Sequence, residues 1–349
     1  MHAVKAVIYQ DVRRVVVGDV PDPVIGDPGD AVVRTTAAAI CGSDLHFFNG
    51  KAPMSPGDTI GHEGAGVVEA VGPSVTRFKP GDRVVLSFDI VCGDCWFCRH
   101  GQTALCEDFR NLGAGPFGGG LGGTQAERIL VPHADVNLLA IPDDLSDERA
   151  LFLGDILTTG FYGAAIAGIK PGDTVAVVGA GPVGFFCTQA ALLYDPGEVL
   201  VLDMEHDRLA LAEKVGGVPI DVRARNAQMA VSERTGGRGA DVVIEAVGNV
   251  PAFESAVEIV RRGGIVTVVG MYVTEQLTIP LGIYWARTLD IRFSGICPVH
   301  AWWDRAMAAV RDGSIDPLPI ISHRLPLSEA PAGYELFESR RATKVVLTP

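Results

Sequence analysis

The chain has 349 residues, and at roughly 150 residues per domain that is enough for two independent cores, which excludes a miniprotein or a lone binding module. Hydrophobic residues make up 48%, charged residues 20% and aromatics 7%, an ordinary globular composition that fits neither a disordered nor a collagen-like chain. Lysine and arginine number 29 against 42 acids, a formal charge of −13 that repels a phosphate backbone, so no nucleic-acid partner is expected.

Up to about residue 150 the chain reads as short β-rich segments punctuated by Gly and Pro: residues 4–9, 31–39, 64–71, 83–86 and 127–131. This predicts a mainly antiparallel β domain over 1–150 with long functional loops. Residues 113–123 hold seven glycines in eleven positions, which as composition alone predicts a flexible loop. From about 172 the rhythm changes to strand, helix, strand. Strands are expected at 174–178, 199–202, 241–246 and 265–269, with helices at 182–194, 205–215 and 252–261. Short apolar strands alternating with helices mean a parallel sheet covered on both faces, placed here within 151–295. The pattern breaks again after about 296, and the tail 296–349, ending in a β-like segment at 344–347, is expected to return to the first domain. Mean hydropathy is +0.26, yet apolar runs such as Thr174–Val178 are far shorter than the ~20 residues of a spanning helix, so no membrane partner is expected. The first nine residues carry no signal-peptide pattern.

Gly179, Gly181 and Gly184, with Pro182 and Val183 between them, follow the apolar strand at 174–178 and open the next helix. That context makes the glycine triplet a dinucleotide-binding fingerprint. The glycines allow the tight turn, the approach of backbone to the pyrophosphate and close helix packing, and the helix N-terminus faces the anion. Asp203 closes the next strand nineteen residues after Gly184. A carboxylate there accepts hydrogen bonds from both ribose hydroxyls and repels a 2′-phosphate, which favours NAD over NADP. Arg208, five residues on, is placed to neutralise such a phosphate and opposes that preference.

Seven cysteines are too few for a disulfide scaffold, and four of them are crowded together. Cys92, Cys95, Cys98 and Cys106 have the spacing C-x2-C-x2-C-x7-C. Four thiolates so near in sequence close a tetrahedral shell around zinc and leave no open position, so this site is expected to be structural. An iron–sulfur cluster is the competing reading, since thiolates serve it equally well. A dispersed group also stands out: Cys41 in Ile40-Cys-Gly-Ser-Asp-Leu-His46, and His62 with Glu63 in Gly61-His-Glu-Gly64.

Over its whole length, and in the order ligand Cys, Gly-His-Glu motif, four-cysteine lobe and nucleotide fingerprint, the chain resembles the zinc-dependent medium-chain alcohol dehydrogenases. The resemblance implies an α/β protein with a Rossmann doubly wound parallel sheet and a mainly β GroES-like catalytic domain. It also implies NAD and two zinc ions per chain, one catalytic and one structural. Cys41 and His62 would hold the catalytic zinc. The third ligand position, where many members have cysteine, is Asp155, which is similar to the subgroup of glutathione-independent formaldehyde dehydrogenases and some bacterial alcohol dehydrogenases. Zinc takes carboxylate oxygen as well as thiolate, and three protein ligands leave a fourth position open.

By the same resemblance Glu63 sits beside the metal and can displace its water ligand, Asp44 orients His62, and Ser43 and His46 occupy proton-relay positions. Phe88 matches a pocket wall, Lys344 a basic residue that meets the cofactor pyrophosphate, and Val269, Ile296 and Cys297 the segment around the nicotinamide. The implied function is reversible hydride transfer between a small alcohol, its aldehyde or ketone, and NAD(H). Formaldehyde dehydrogenase or dismutase and polyol or threonine-type dehydrogenase are the nearer alternatives, and a non-catalytic dinucleotide sensor the remote one. A cytoplasmic homo-oligomer, dimer or tetramer, is expected, joined through a sheet edge at 265–273 or 289–293.

Overall fold

Small and β-branched residues along Ala31–Ile40 build the central strand of a seven-stranded sheet. Its order is His323–Pro326, Val345–Thr348, Ala31–Ile40, Glu63–Val71, Arg83–Leu86 and Leu138–Ala140, with Arg128–Val131 paired to the first half of the central strand. All pairings are antiparallel except that of His323–Pro326 with Val345–Thr348. Alternate residues such as Ala31, Val33, Val68, Val84, Leu86, Ile129 and Leu138 meet in one core. The computed structural model describes residues 3–273 and 276–349. They divide into two units, Met1–Thr158 with Pro298–Pro349, and Thr159–Cys297.

The second unit holds a six-stranded, wholly parallel sheet ordered Val218–Asp221, Glu198–Asp203, Thr174–Val178, Ala240–Glu245, Val260–Val268 and Asp290–Phe293. The chain runs outward from Thr174–Val178 on one side, then returns and runs outward on the other. The carboxyl end of that first strand is therefore a topological switch point, where open α/β sheets take their ligands. Thr174–Val178 and Ala240–Glu245 are buried throughout, as strands covered on both faces must be. This is the expected doubly wound sheet, and the other unit is the expected mainly β one.

The sheet edges correct one expectation. The segment at 265–269 belongs to Val260–Val268, which is paired on both sides, so the outer strands are Val218–Asp221 and Asp290–Phe293. Pro219 in the former is tolerated because an edge strand has one side without ladder bonds. The glycine-rich stretch is also packed rather than loose. Gly113 stands at φ +62, and a β-carbon there would come within 2.1 Å of the Gly61 carbonyl oxygen, while one on Gly123 would come within 2.2 Å of that of Ile60. These glycines let two backbones touch. Among the described residues no helix is long and apolar enough to cross a membrane.

The tail contributes a helix, Val299–Arg311, that pins His300 against the rest of its unit. His300 Nε2 lies 3.0 Å from Asn137 Oδ1 and Nδ1 lies 3.3 Å from Thr103 Oγ1. The Asn137 amide nitrogen donates to the carbonyls of Val91 and Pro132, which turns its oxygen toward the ring and makes Nε2 the protonated nitrogen. Burial pushes this imidazole down to about 3. An unfolded histidine titrates near 6.5, so as pH falls below that value the unfolded chain takes a proton the native one refuses. Stability is then lost at up to ~1.4 kcal/mol per pH unit. From pH 6.5 to 5 this histidine should account for about 2 kcal/mol of destabilisation. Urea midpoints at the two pH values should show that loss in the parent and a flatter dependence in His300→Gln; equal slopes would refute the assignment.

Candidate active site and metal centres

Sheet register gathers the dispersed residues. Ile40 faces Val345 on one neighbouring strand, and Ala39 faces Glu63 on the other. Cys41, Lys344, His62 and Glu63 therefore emerge together at one end of three adjacent strands. Asp155 arrives from a different segment, directly after the 3-10 turn Phe152–Gly154 and before the helix Ile156–Ile166. Donor atoms of Cys41, His62, Glu63 and Asp155 all lie within 4.8 Å of one another, and all four residues are buried.

These donors fit one metal ion. Cys41 Sγ is 3.7 Å and His62 Nε2 is 3.2 Å from Asp155 Oδ2. Ideal tetrahedral zinc with ordinary bond lengths puts such donors roughly 3.4–3.6 Å apart. One Glu63 oxygen is 2.6 Å from Lys344 Nζ, whereas the other is buried with no hydrogen-bond partner among the described residues. Cys41 and Asp155 together balance two positive charges, and the Glu63–Lys344 pair is neutral by itself.

The electrostatics ask for a cation. Burial, opposed by Lys344, pushes the Cys41 thiol up to about 11, and burial likewise raises Glu63 against the pull of Lys344. Burial alone would lower His62, but Asp44, Cys41 and Asp155 around the ring outweigh it and hold its affinity for a proton well above the usual range. Surroundings that would put a proton on that ring favour a dication more strongly. Burial and the nearby Asp155 push the Asp89 carboxyl well above the usual range, favouring its neutral form.

Around these donors stand the remaining expected residues. Asp44, fully buried, puts Oδ1 3.0 Å from His62 Nδ1 and accepts the Cys41 amide at 2.9 Å through Oδ2. Ser43 Oγ is 3.9 Å from Cys41 Sγ, and the Phe88 ring tilts over His62 at 6.2 Å. His46 is half-buried on the short helix Asp44–Phe48. The Lys344 ammonium is wholly buried, held by Glu63 and by the Ile40 carbonyl at 3.0 Å above the Phe152 ring. Its place on the strand beside Cys41 dictates this.

The four-cysteine lobe forms a second centre. Cys92 Sγ lies 4.0 Å from Cys98 Sγ and 3.5 Å from Cys106 Sγ, bracketing the ~3.8 Å expected around one zinc. That spacing suits a single ion and leaves no room for a multi-iron cluster. Amides of Asp94 and Cys95 point at Cys92 Sγ, and those of Cys92 and Asp108 at Cys106 Sγ. Amides of Cys98 and Glu107 pull the Cys95 thiol down to about 6. Burial pushes the Cys98 and Cys106 thiols up instead, so of these three thiols only Cys95 is drawn toward the thiolate in advance of a metal.

In the second unit the glycine triplet stands between the strand Thr174–Val178 and the helix Pro182–Leu192. Gly179 adopts φ +97, and a β-carbon on Gly184 would come within 1.8 Å of the Gly179 carbonyl oxygen, so the helix Pro182–Leu192 starts hard against the turn. Asp203 Oδ2 accepts the Ala180 amide at 2.6 Å and Oδ1 that of Glu205 at 2.9 Å, fixing the carboxylate beside the turn. Arg208 reaches back over Gly181, a β-carbon on which would lie 3.7 Å from Nη1. Val269 is buried and its amide donates to the Glu245 carbonyl; Ile296 is exposed and Cys297 buried.

Two contributors escaped the sequence reading. Gln125 donates to Asp44 Oδ2 at 3.2 Å, and the Tyr334 hydroxyl donates to Gln125 Oε1 at 3.0 Å. Neither belongs to a motif. The one available signal was the glycine run just before Gln125, which marks close backbone packing against residues 60–61.

Residues 27–143 match the family model of the alcohol dehydrogenase GroES-like domain, and residues 182–311 match that of zinc-binding dehydrogenases. The chain is similar to AdhB of Bacillus subtilis (strain 168), an uncharacterized zinc-type alcohol dehydrogenase-like protein. The two are 39% identical over 380 aligned positions, which cover 99% of this chain and 100% of that one. Among solved structures it is similar to alcohol dehydrogenase TADH from Thermus sp. ATN1, with 42% identity, a TM-score of 0.94 and 99% of each chain covered. It is also similar to a zinc-binding dehydrogenase from Sinorhizobium meliloti 1021 bound to NADP, with 31% identity, a TM-score of 0.88 and 100% of each chain covered.

Elemental analysis should find about two zinc ions per chain, one for each four-donor cluster. Cys41→Ala and Asp155→Ala should each retain one, and Cys92→Ser should lose the other. Two ions retained in Cys41→Ala would overturn the assignment of donors.

Proposed function

The chain belongs to the zinc-dependent medium-chain alcohol dehydrogenases, and from that premise we propose that it oxidises a small alcohol to its aldehyde or ketone with NAD, using Cys41, His62 and Asp155 as the protein ligands of its catalytic zinc. The observation that carries this reading is the buried Cys41–His62–Asp155 donor set, whose separations suit one tetrahedral ion. Zinc bound there supplies a Lewis acid for the alcohol or carbonyl oxygen, and the nicotinamide supplies the hydride acceptor.

The residues then divide the work. Asp44 keeps the proton of His62 on Nδ1, so that Nε2 is the bare donor. Phe88 supplies apolar wall beside the ligands and helps exclude water. Ser43, 3.9 Å from Cys41 Sγ, accepts the proton released by the alcohol hydroxyl as it gives up its own, and half-buried His46 passes a proton on to solvent. Glu63, with one oxygen held by Lys344 and the other without a partner, is the group that exchanges with water. Cys92, Cys95, Cys98 and Cys106 hold a structural zinc. In the second unit, Gly179, Gly181, Pro182, Val183 and Gly184 receive the pyrophosphate and Asp203 the ribose hydroxyls; Val269, Ile296 and Cys297 flank the nicotinamide. The carboxylate at 155 favours a formaldehyde dehydrogenase-like specificity as the second reading.

A homo-oligomer is also proposed. Asp290–Phe293 is an outer strand, Phe293 is 71% exposed, and Trp285 on the preceding helix Leu281–Ala286 is 81% exposed. An outer strand with exposed aromatic side chains at and beside it offers a surface for pairing with a second copy. Use of Cys41, Cys92, Cys95, Cys98 and Cys106 as thiolate ligands suits a reducing, cytoplasmic setting.

The decisive assay follows NADH formation across primary, secondary, benzylic and polyol alcohols and formaldehyde, with NADP in parallel. Cys41→Ala and Asp155→Ala should abolish turnover while still binding NAD; full activity in either would remove the zinc assignment. NAD should be preferred over NADP by at least about tenfold, or ~1.4 kcal/mol, and Asp203→Ala should erase most of that margin. His46→Gln should lose rate mainly at low pH, and an unchanged pH profile would remove His46 from the proton path.

A further inference from the structure

We propose that Gln125 and Tyr334 are positioning residues for the catalytic metal: they fix Asp44, and through Asp44 they set the orientation and proton of His62. The inference rests on the catalytic-zinc reading above.

Every link in this line is buried and has one direction. Asp44 Oδ2 accepts from the Cys41 amide at 2.9 Å and from Gln125 Nε2 at 3.2 Å, and Oδ1 faces His62 Nδ1 at 3.0 Å. The Gln125 amide cannot be reversed, because its nitrogen sits between two acceptors, Asp44 Oδ2 and the Ala39 carbonyl at 3.3 Å. An oxygen turned toward them would be repelled by both. Gln125 Oε1 therefore faces away and takes the Tyr334 hydroxyl at 3.0 Å, and Tyr334 is held in turn by stacking on Phe48, with ring centroids 5.2 Å apart. Asp44, Gln125 and Tyr334 each have 0% exposure, so water is not available to replace a lost partner. Hydrogen bonds in such a line polarise one another. The result is a carboxylate with its other oxygen committed, free to act on His62 alone. Tyr334 lies on the helix Ala330–Glu338, so the C-terminal segment takes part in a metal site whose ligands lie far earlier in the chain.

The four-cysteine centre provides an internal reference for the test. Zinc release to a colorimetric chelator would be followed in the intact protein for both ions, in the parent, Tyr334→Phe, Gln125→Met and the double variant. Outer partners of metal ligands typically change affinity by about 10–100-fold. Gln125→Met should weaken the Cys41–His62–Asp155 zinc about tenfold and Tyr334→Phe a few-fold, with release from the four-cysteine centre unchanged. The double variant should be no weaker than Gln125→Met, because both act through one line.

Release within about twofold of the parent in both variants would overturn the proposal, and so would equal weakening of the two centres, which would mark a general loosening of the fold. Tyr334→Phe removes a single oxygen and keeps the test open if Gln125→Met does not fold. A parent that holds only the four-cysteine zinc would instead sink the catalytic-zinc reading itself.

Discussion

The constraint on which this structure turns is the burial of negative charge at one end of a sheet. Cys41, Glu63, Asp155 and Asp44 lie out of water within a few side-chain lengths of one another. Isolated anions in such a place are costly enough that they take up protons instead. Two cations would resolve the conflict: Lys344, already present and paired with Glu63, and a dication held by the proposed ligands Cys41, His62 and Asp155. Removing one partner from a buried pair of the first kind costs about 3–5 kcal/mol, because the other is left uncompensated. Lys344 is thus better understood as part of the metal site's charge balance than as a free contact for a nucleotide.

Register is the means by which distant residues reach that place. The central strand Ala31–Ile40 pairs with Glu63–Val71 on one side and with Val345–Thr348 on the other. A slip of one residue in either pairing would turn side chains to the opposite face and carry His62 or Lys344 out of the site. The buried apolar faces of the three strands hold that register. The packing that stabilises the sheet therefore also sets the coordination geometry, and Asp155 completes it from a turn lodged against the end of Arg83–Leu86, where the Phe88 amide donates to the Gly154 carbonyl.

The sequence was most legible where the chemistry is local. Four cysteines within fifteen residues, and three glycines between a strand and a helix, each suggest a function by spacing alone; the structure brings the four sulfurs within 4.8 Å of one another and seats the glycines in a tight turn. The parallel strands were readable because burial on both faces leaves continuous apolar runs. Val218–Asp221 was missed because it contains Pro219, and the helix Ala330–Glu338 because Pro331 and Gly333 broke its pattern. The dispersed ligands became legible only through family resemblance, since no period links residues 41, 62 and 155. The surroundings of Lys344 were hidden for a related reason: position in a motif says which residue is basic, whereas only the strand pairing shows its ammonium against Glu63.

The glycine-rich stretch shows how composition can mislead in the opposite direction. Read alone, seven glycines in eleven residues describe a chain with little to order it. In the fold the same absence of side chains lets residues 113 and 123 approach the backbone of residues 60 and 61 more closely than any β-carbon would permit. The Thr124 amide then donates to the Gly61 carbonyl, and Thr124 Oγ1 donates to that of Glu63. This lacing immobilises the backbone that bears His62 and Glu63, and it delivers Gln125 beneath Asp44. Conformational freedom in the unfolded chain is exchanged for contact in the native one. For a metal site whose ligands come from three segments, fixing the backbone beneath the ligands matters as much as the choice of donor atoms.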